Sequence, residues 1–134
     1  MKNEKIIPIF YTCNDSNVNS TVASLRSIID NSDKSNVYSI CILHDGLNKK
    51  NVKKMFDLEK RGCSITLEDL SYYKNKTDGI SISFSSEFVR TFIPEMFPGY
   101  DRSLLVRNDY VASEDICAYL DDPAPNSLLF RIGC

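Results

Sequence analysis

Paired metal-binding residues are what this chain most plainly lacks. Its 134 residues hold one histidine, His44, and five cysteines, Cys13, Cys41, Cys63, Cys117 and Cys134. The cysteines are scattered, odd in number and without a Cys-X-X-Cys pair, which argues against a zinc site. They read instead as reduced thiols packed as small apolar groups in a cytoplasmic protein. No run approaches the ~20 apolar residues needed to cross a bilayer, so no transmembrane segment is expected. The formal charge is only −2 and the pI about 5.4, so no bulk electrostatic pull toward nucleic acid or anionic lipid is expected. The charged start, Met1 to Lys5, precedes an apolar run soon interrupted by Asn14, Asp15 and Ser16, and no signal peptide is read there. Internal repeats, low-complexity segments and a domain linker are also absent. What is present is an apolar fraction of 43% with 25% charged residues, enough for one core with an ordinary surface.

The apolar residues alternate between two kinds of pattern. Ile6-Ile7-Pro8-Ile9-Phe10-Tyr11-Thr12 is nearly continuous and reads as a buried strand, followed by the polar turn Cys13 to Asn17. Val18, Val22, Leu25, Ile28 and Ile29 then recur at helical spacing. Val37 to Leu43 reads as a second buried strand, ending in His44-Asp45-Gly46, where His44 is expected to be a locally hydrogen-bonded turn residue. A helix is expected next, with Leu47, Val52, Met55, Phe56 and Leu58 on its apolar side and Lys49, Lys50, Lys53, Lys54 and Lys60 on a solvated face. Cys63 to Leu70 alternates, as in a more exposed strand, and Ser71 to Ser83 reads as a loop.

Phe88, Val89, Phe92 and Ile93 predict a short helix, with Ser85 or Ser86 as N-cap and Pro94 kinking or ending it. Ser103 to Val106 is a fourth strand. Ser113-Glu114-Asp115 starts a short helix, with acids at its positive end and Ile116, Tyr119 and Leu120 as its apolar contacts. Asp122 to Asn126 is a rigid connector before a fifth strand, Ser127 to Ile132. Strands alternating with helices imply βαβ units and a mostly parallel sheet with flanking helices, a Rossmann-like α/β fold.

In such a sheet, ligands are usually held at the carboxyl ends of the strands. The fourth strand runs Leu104-Leu105-Val106 and breaks into Arg107-Asn108-Asp109, close in form to an Asp-X-Asp metal and diphosphate site with an arginine in first place. This stretch, together with Ile7 to Asp15, Ile42 to Leu47, Glu87 to Glu95 and the rest of Leu104 through Ile116, resembles glycosyltransferase family 8 over almost the whole chain.

The resemblance implies a GT-A fold and, in active members, transfer of a hexose with retention from a nucleotide sugar, commonly UDP-linked, using a metal such as Mn2+. Those members are considerably longer, so residues 1–134 would be one partial domain, the amino-terminal nucleotide-sugar-binding part, truncated after about five strands. The acceptor-binding half and a late metal-binding histidine have no counterpart here. The matching nucleotide-sugar positions are Thr12, Asn14, Asp15, Arg90, Arg107, Asn108 and Asp109, aligned by Asp115-Ile116 downstream.

Asp109 would keep half of the metal site. Arg107 cannot ligate a cation, having only N–H donors. Asn14 and Asn17 stand where family members usually carry an acid and an aromatic. Arg90 is either part of the nucleotide site or one end of a helix-surface ion pair.

No catalytic residue is assigned, and no cofactor is expected for this chain. The leading expectation is an inactive family 8 domain. One alternative is a fragment or subunit of a working, possibly metal-independent hexosyltransferase in which Arg107 pairs with phosphate. Another is an interaction module that self-associates through the sheet edge at Ile132 to Cys134.

Overall fold

The computed structural model describes residues 5–71, 87–120 and 129–133. The elements are β1 (Lys5–Cys13), α1 (Val18–Asp30), β2 (Asn36–His44), α2 (Lys49–Phe56), β3 (Cys63–Asp69), α3 (Glu87–Met96), β4 (Arg102–Val106), a 3-10 helix (Ile116–Leu120) and β5 (Leu129–Gly133). Their order in the single sheet is β3-β2-β1-β4-β5. The first four strands run parallel and β5 pairs antiparallel with β4. This is the expected α/β sheet of GT-A type, reversed in one strand at its edge.

The unbroken apolar reading of β1 follows from its central place, because side chains alternate between two covered faces. Ile7, Ile9 and Tyr11 face one cluster with Leu25 and Ile28 of α1, Met55 of α2 and Ile116 of the 3-10 helix. Phe10 faces the other, with Cys41, Leu43, Leu105 and Val89, Phe92 and Ile93 of α3. Each such side chain contributes roughly 1.5–3 kcal/mol by leaving water. Pro8 is tolerated in this central strand because pairing with β4 begins only at Ile9↔Leu104. At the outer edge, β3 shows the buried-exposed alternation anticipated for it.

One alternative left open is decided, and two boundaries differ from the sequence reading. Pro94 lies inside α3, which continues to Met96. A proline removes one helical N–H, but the following turn still closes through Phe97 N–H to the Ile93 carbonyl at 3.0 Å, and Phe92 and Ile93 hold the helix on the sheet. Leu58 and Lys60 fall beyond α2, where Lys60 forms an antiparallel bridge with Cys63. The short helix after Asp115 is 3-10, begun by the Cys117 N–H on Asp115 Oδ1 at 3.0 Å. The loop after Ser71, the serine N-cap and the Asp122 to Asn126 connector lie outside the described residues. Among the described residues, no helix is long and apolar enough to cross a membrane.

Candidate functional site

The carboxyl ends of β1 and β4 lie side by side, since Tyr11 pairs with Val106. The loops that leave them are tied together by Asn108. Its amide donates to the Thr12 carbonyl and to Thr21 Oγ1, both at 2.7 Å. Thr21 is fully buried in α1 and passes its own hydroxyl proton to the Asn17 carbonyl at 2.8 Å. Thr12 is buried, and its backbone oxygen is the part of it that meets the loop. Asn108 therefore turns inward as a strut between two strands and a helix.

Its neighbours turn outward. Arg107 Nε lies 3.1 Å from Asp109 Oδ1, with the two side chains 50% and 59% exposed. The Tyr110 N–H closes the turn on the Arg107 carbonyl at 3.0 Å. A divalent cation requires several convergent oxygen ligands. Here one carboxylate is already neutralised by a guanidinium that offers no lone pair, so these residues do not fit such an ion. Among the described residues, no three His, Cys, Asp or Glu side chains are grouped to hold a metal.

The β1–α1 loop is likewise bonded within itself. Asn14 Oδ1 accepts from the Ser16 N–H at 2.9 Å, the Asn17 N–H at 3.2 Å and the Ser16 hydroxyl. The Asn14 N–H donates in return to Asn17 Oδ1 at 2.9 Å. These bonds close the turn that leads into α1, while Asn17, the residue before the helix, makes no side-chain cap to it. Asp15 reaches the next turn instead. Its Oδ1 accepts the Asn51 amide at 2.7 Å and the Asn48 N–H at 3.0 Å. These bonds, the Asn51 amide foremost, hold the Asp15 carboxyl below its ordinary pKa, and His44 adds a smaller pull. Asn48 also caps α2 by accepting the Asn51 N–H at 2.8 Å. His44 is the last residue of β2 rather than a turn residue, but it is locally hydrogen-bonded as expected, its Nδ1 accepting the Gly46 N–H at 3.0 Å.

Six of the seven anticipated residues thus gather at one end of the sheet: Thr12, Asn14, Asp15, Arg107, Asn108 and Asp109. Arg90 sits half-buried on α3, whose core residues pack on the sheet face opposite α1. Sequence reasoning missed Thr21, which accepts from Asn108, and Asn48 and Asn51, which donate to Asp15. Their signal was faint: a threonine or asparagine within the first turn of a helix. Asp115 is a further scaffold residue, accepting from the Tyr38 hydroxyl at 2.7 Å and the Asp33 N–H at 3.0 Å. That contact lies by the amino end of β2, far from the loops just described.

A cavity of about 980 Å³ also opens at that amino-terminal end, between Ile29, Asp33, Asn36, Tyr38, Lys60 and Gly62. It does not coincide with the candidate site. Parallel α/β sheets hold ligands at the carboxyl ends of their strands, where the exposed charges of Arg107 and Asp109 stand.

The described cysteines are all free thiols. Burial pushes the Cys41 thiol up to about 11 and raises Cys13 and Cys117 as well, which suits packing rather than reactivity.

Topology and site together define a GT-A-type α/β domain. The model of glycosyl transferase family 8 matches residues 8–129, so the chain belongs to that family. A search of the curated proteins found no match. Among solved structures, the bifunctional glycosyltransferase WbbM in its apo form is similar with a TM-score of 0.73 at 23% identity, over 89% of this chain and 21% of that one. The galactosyltransferase LgtC, in complex with donor and acceptor sugar analogues, is similar at 0.62 and 14% identity, over 86% and 42%. The glycosyltransferase GlyE of Streptococcus pneumoniae TIGR4 gives 0.63 at 15% identity, over 98% and 34%. This chain therefore spans from about a fifth to two fifths of the length of these relatives, and at these identities the likeness concerns the fold.

Proposed function

We propose that this chain is a nucleotide-sugar-binding domain descended from retaining family 8 hexosyltransferases, and that it does not itself perform metal-dependent transfer. The observation that carries the reading is the Arg107–Asp109 ion pair, 3.1 Å long, at the strand end where the family resemblance puts an Asp-X-Asp metal site. A guanidinium in the first ligand position repels a cation and fills the coordination space of the remaining acid. The family resemblance assigns Thr12, Asn14, Asp15, Asn108 and, from α3, Arg90 to the same nucleotide-sugar site, with UDP-hexose as the donor class; here Asn14, Asp15 and Asn108 serve it by holding its two loops in shape. The solved LgtC complex with donor and acceptor analogues supports a sugar-nucleotide role for the family's fold.

The test is turnover of UDP-glucose and UDP-galactose with Mn2+, followed as released UDP. Release at the buffer background is expected. Release that depends on Mn2+ and on Asp109 overturns the reading. The double variant Arg107→Asp, Asn14→Asp restores the acids, and it is expected to gain Mn2+-dependent UDP binding in calorimetry. Asn14 Oδ1 acts only as an acceptor in the loop, so an aspartate there keeps the same bonds.

A second reading is favoured by length. Spanning 21–42% of the relatives above, the chain would be the donor-binding part of a working hexosyltransferase whose acceptor-binding part is supplied elsewhere. β5, an outer strand of the sheet, would then be a surface for self-association or for that second part.

A further inference from the structure

We propose that Arg107 is itself the anion-binding group of this site, taking the phosphates of a nucleoside diphosphate directly and without a metal, with Asp109 as a counterion that weakens that binding. This rests on the reading above that this end of the sheet holds the nucleotide sugar.

The side chains of Asn14, Asp15 and Asn108 are bonded inside the protein. Both amide hydrogens of Asn108 are spent on Thr12 and Thr21. Asn14 Oδ1 accepts three donors, the Ser16 N–H, the Ser16 hydroxyl and the Asn17 N–H, all in the turn before α1. That oxygen is therefore spent inside the turn before α1. Asp15 spends one oxygen on Asn48 and Asn51 and, as an acid, would repel an anion.

Arg107 differs from all of these. Its side chain is half exposed and meets Asp109 through Nε. A guanidinium carries five N–H donors in a planar fork, so its Nη hydrogens can take phosphate oxygens in pairs. The backbone beneath it is held by Asn108 and by the Tyr110 turn, which fixes where the fork starts. Asp109 on the same side offers charge of the wrong sign for a diphosphate.

The two roles for Asp109 predict opposite signs. As a metal ligand, its neutralisation weakens nucleotide binding. As a counterion beside the anion-binding group, its neutralisation strengthens binding. The experiment is calorimetric titration of the full chain with UDP, inorganic pyrophosphate and uridine, first in EDTA and then in Mn2+. In EDTA, UDP and pyrophosphate are expected to bind more tightly than uridine. Arg107→Ala is expected to lose on the order of tenfold or more for both diphosphates, and Asp109→Asn to gain roughly two- to fivefold.

UDP binding that requires Mn2+ and falls in Asp109→Asn overturns this inference while leaving the nucleotide-binding reading in place. Binding in EDTA that Arg107→Ala leaves unchanged overturns it likewise. No binding of UDP under either condition overturns both. Both side chains are exposed, so each variant is expected to melt within a few degrees of the parent, which a circular dichroism scan checks.

Discussion

Replacing Asn108 by alanine removes the strut that joins β1, β4 and α1, and its cost follows from the geometry. Two hydrogen bonds of 2.7 Å are lost, at about 1 kcal/mol each. The Thr12 carbonyl is left facing the gap without that donor, which adds part of the ~1–3 kcal/mol for an unsatisfied buried acceptor. Thr21 Oγ1 is cushioned, since it still donates to Asn17 at 2.8 Å. Asn108 is only half-buried, so water replaces some of what is lost. The expected destabilisation is about 2–3 kcal/mol. Urea unfolding at neutral pH, followed by far-ultraviolet circular dichroism, measures it as a lower midpoint at unchanged slope. Thr21→Val supplies the second arm of a double-mutant cycle, with an expected coupling of about 1 kcal/mol because the two side chains touch. A loss below about 0.5 kcal/mol for Asn108→Ala, or additivity of the two variants, would refute the strut.

Removing the Arg107–Asp109 ion pair should barely affect stability: both partners are half exposed, so Arg107→Ala is expected to change it by under about 0.5 kcal/mol in the same urea assay. Tyr38→Phe deletes the hydroxyl that donates to Asp115 and accepts the Asp33 N–H at 3.0 Å, and thermal unfolding is expected to show a loss of about 1–2 kcal/mol. The lowered pKa of Asp15 sets a pH dependence. Its contribution is present above the unfolded-state value of about 3.9 and fades as pH falls through the still lower folded value. Asp15→Asn is expected to flatten that acid limb, read as chemical denaturation between about pH 5 and pH 2.5. Finally, buried Cys13 and Cys41, with raised pKa values, are expected to resist alkylation until the chain is unfolded, which mass spectrometry with iodoacetamide can follow.

Much of this architecture was legible before any coordinates. Strands buried on both faces must be apolar at nearly every position, which is why β1, β2 and β4 stood out as unbroken runs. The helices declared themselves through spaced residues such as Leu25 and Ile28, because only one stripe of each meets the sheet. The family pattern located the strand ends that bear the candidate site. Local rules left Pro94 either to kink or to end its helix, and what lets the helix run on to Met96, the packing of Phe92 and Ile93 on the sheet, is tertiary. The antiparallel direction of β5 was equally hidden, since pairing direction depends on where a strand sits and on the path that brings it there.

The roles of the site residues divide along the same physical line. An arginine at position 107 forbids metal ligation through its own chemistry, whatever surrounds it, and the sequence is sufficient for that. Whether Asn108 points at a ligand or at Thr12 and Thr21, and whether Asp15 meets a ribose or the start of α2, depends on side chains 36 to 96 residues apart in the chain. Hydrogen bonds need partners within about 3 Å, and only folding brings such partners together. Asn14, Asp15 and Asn108 thereby become parts of the scaffold, and Arg107 is left facing solvent with hydrogens to give.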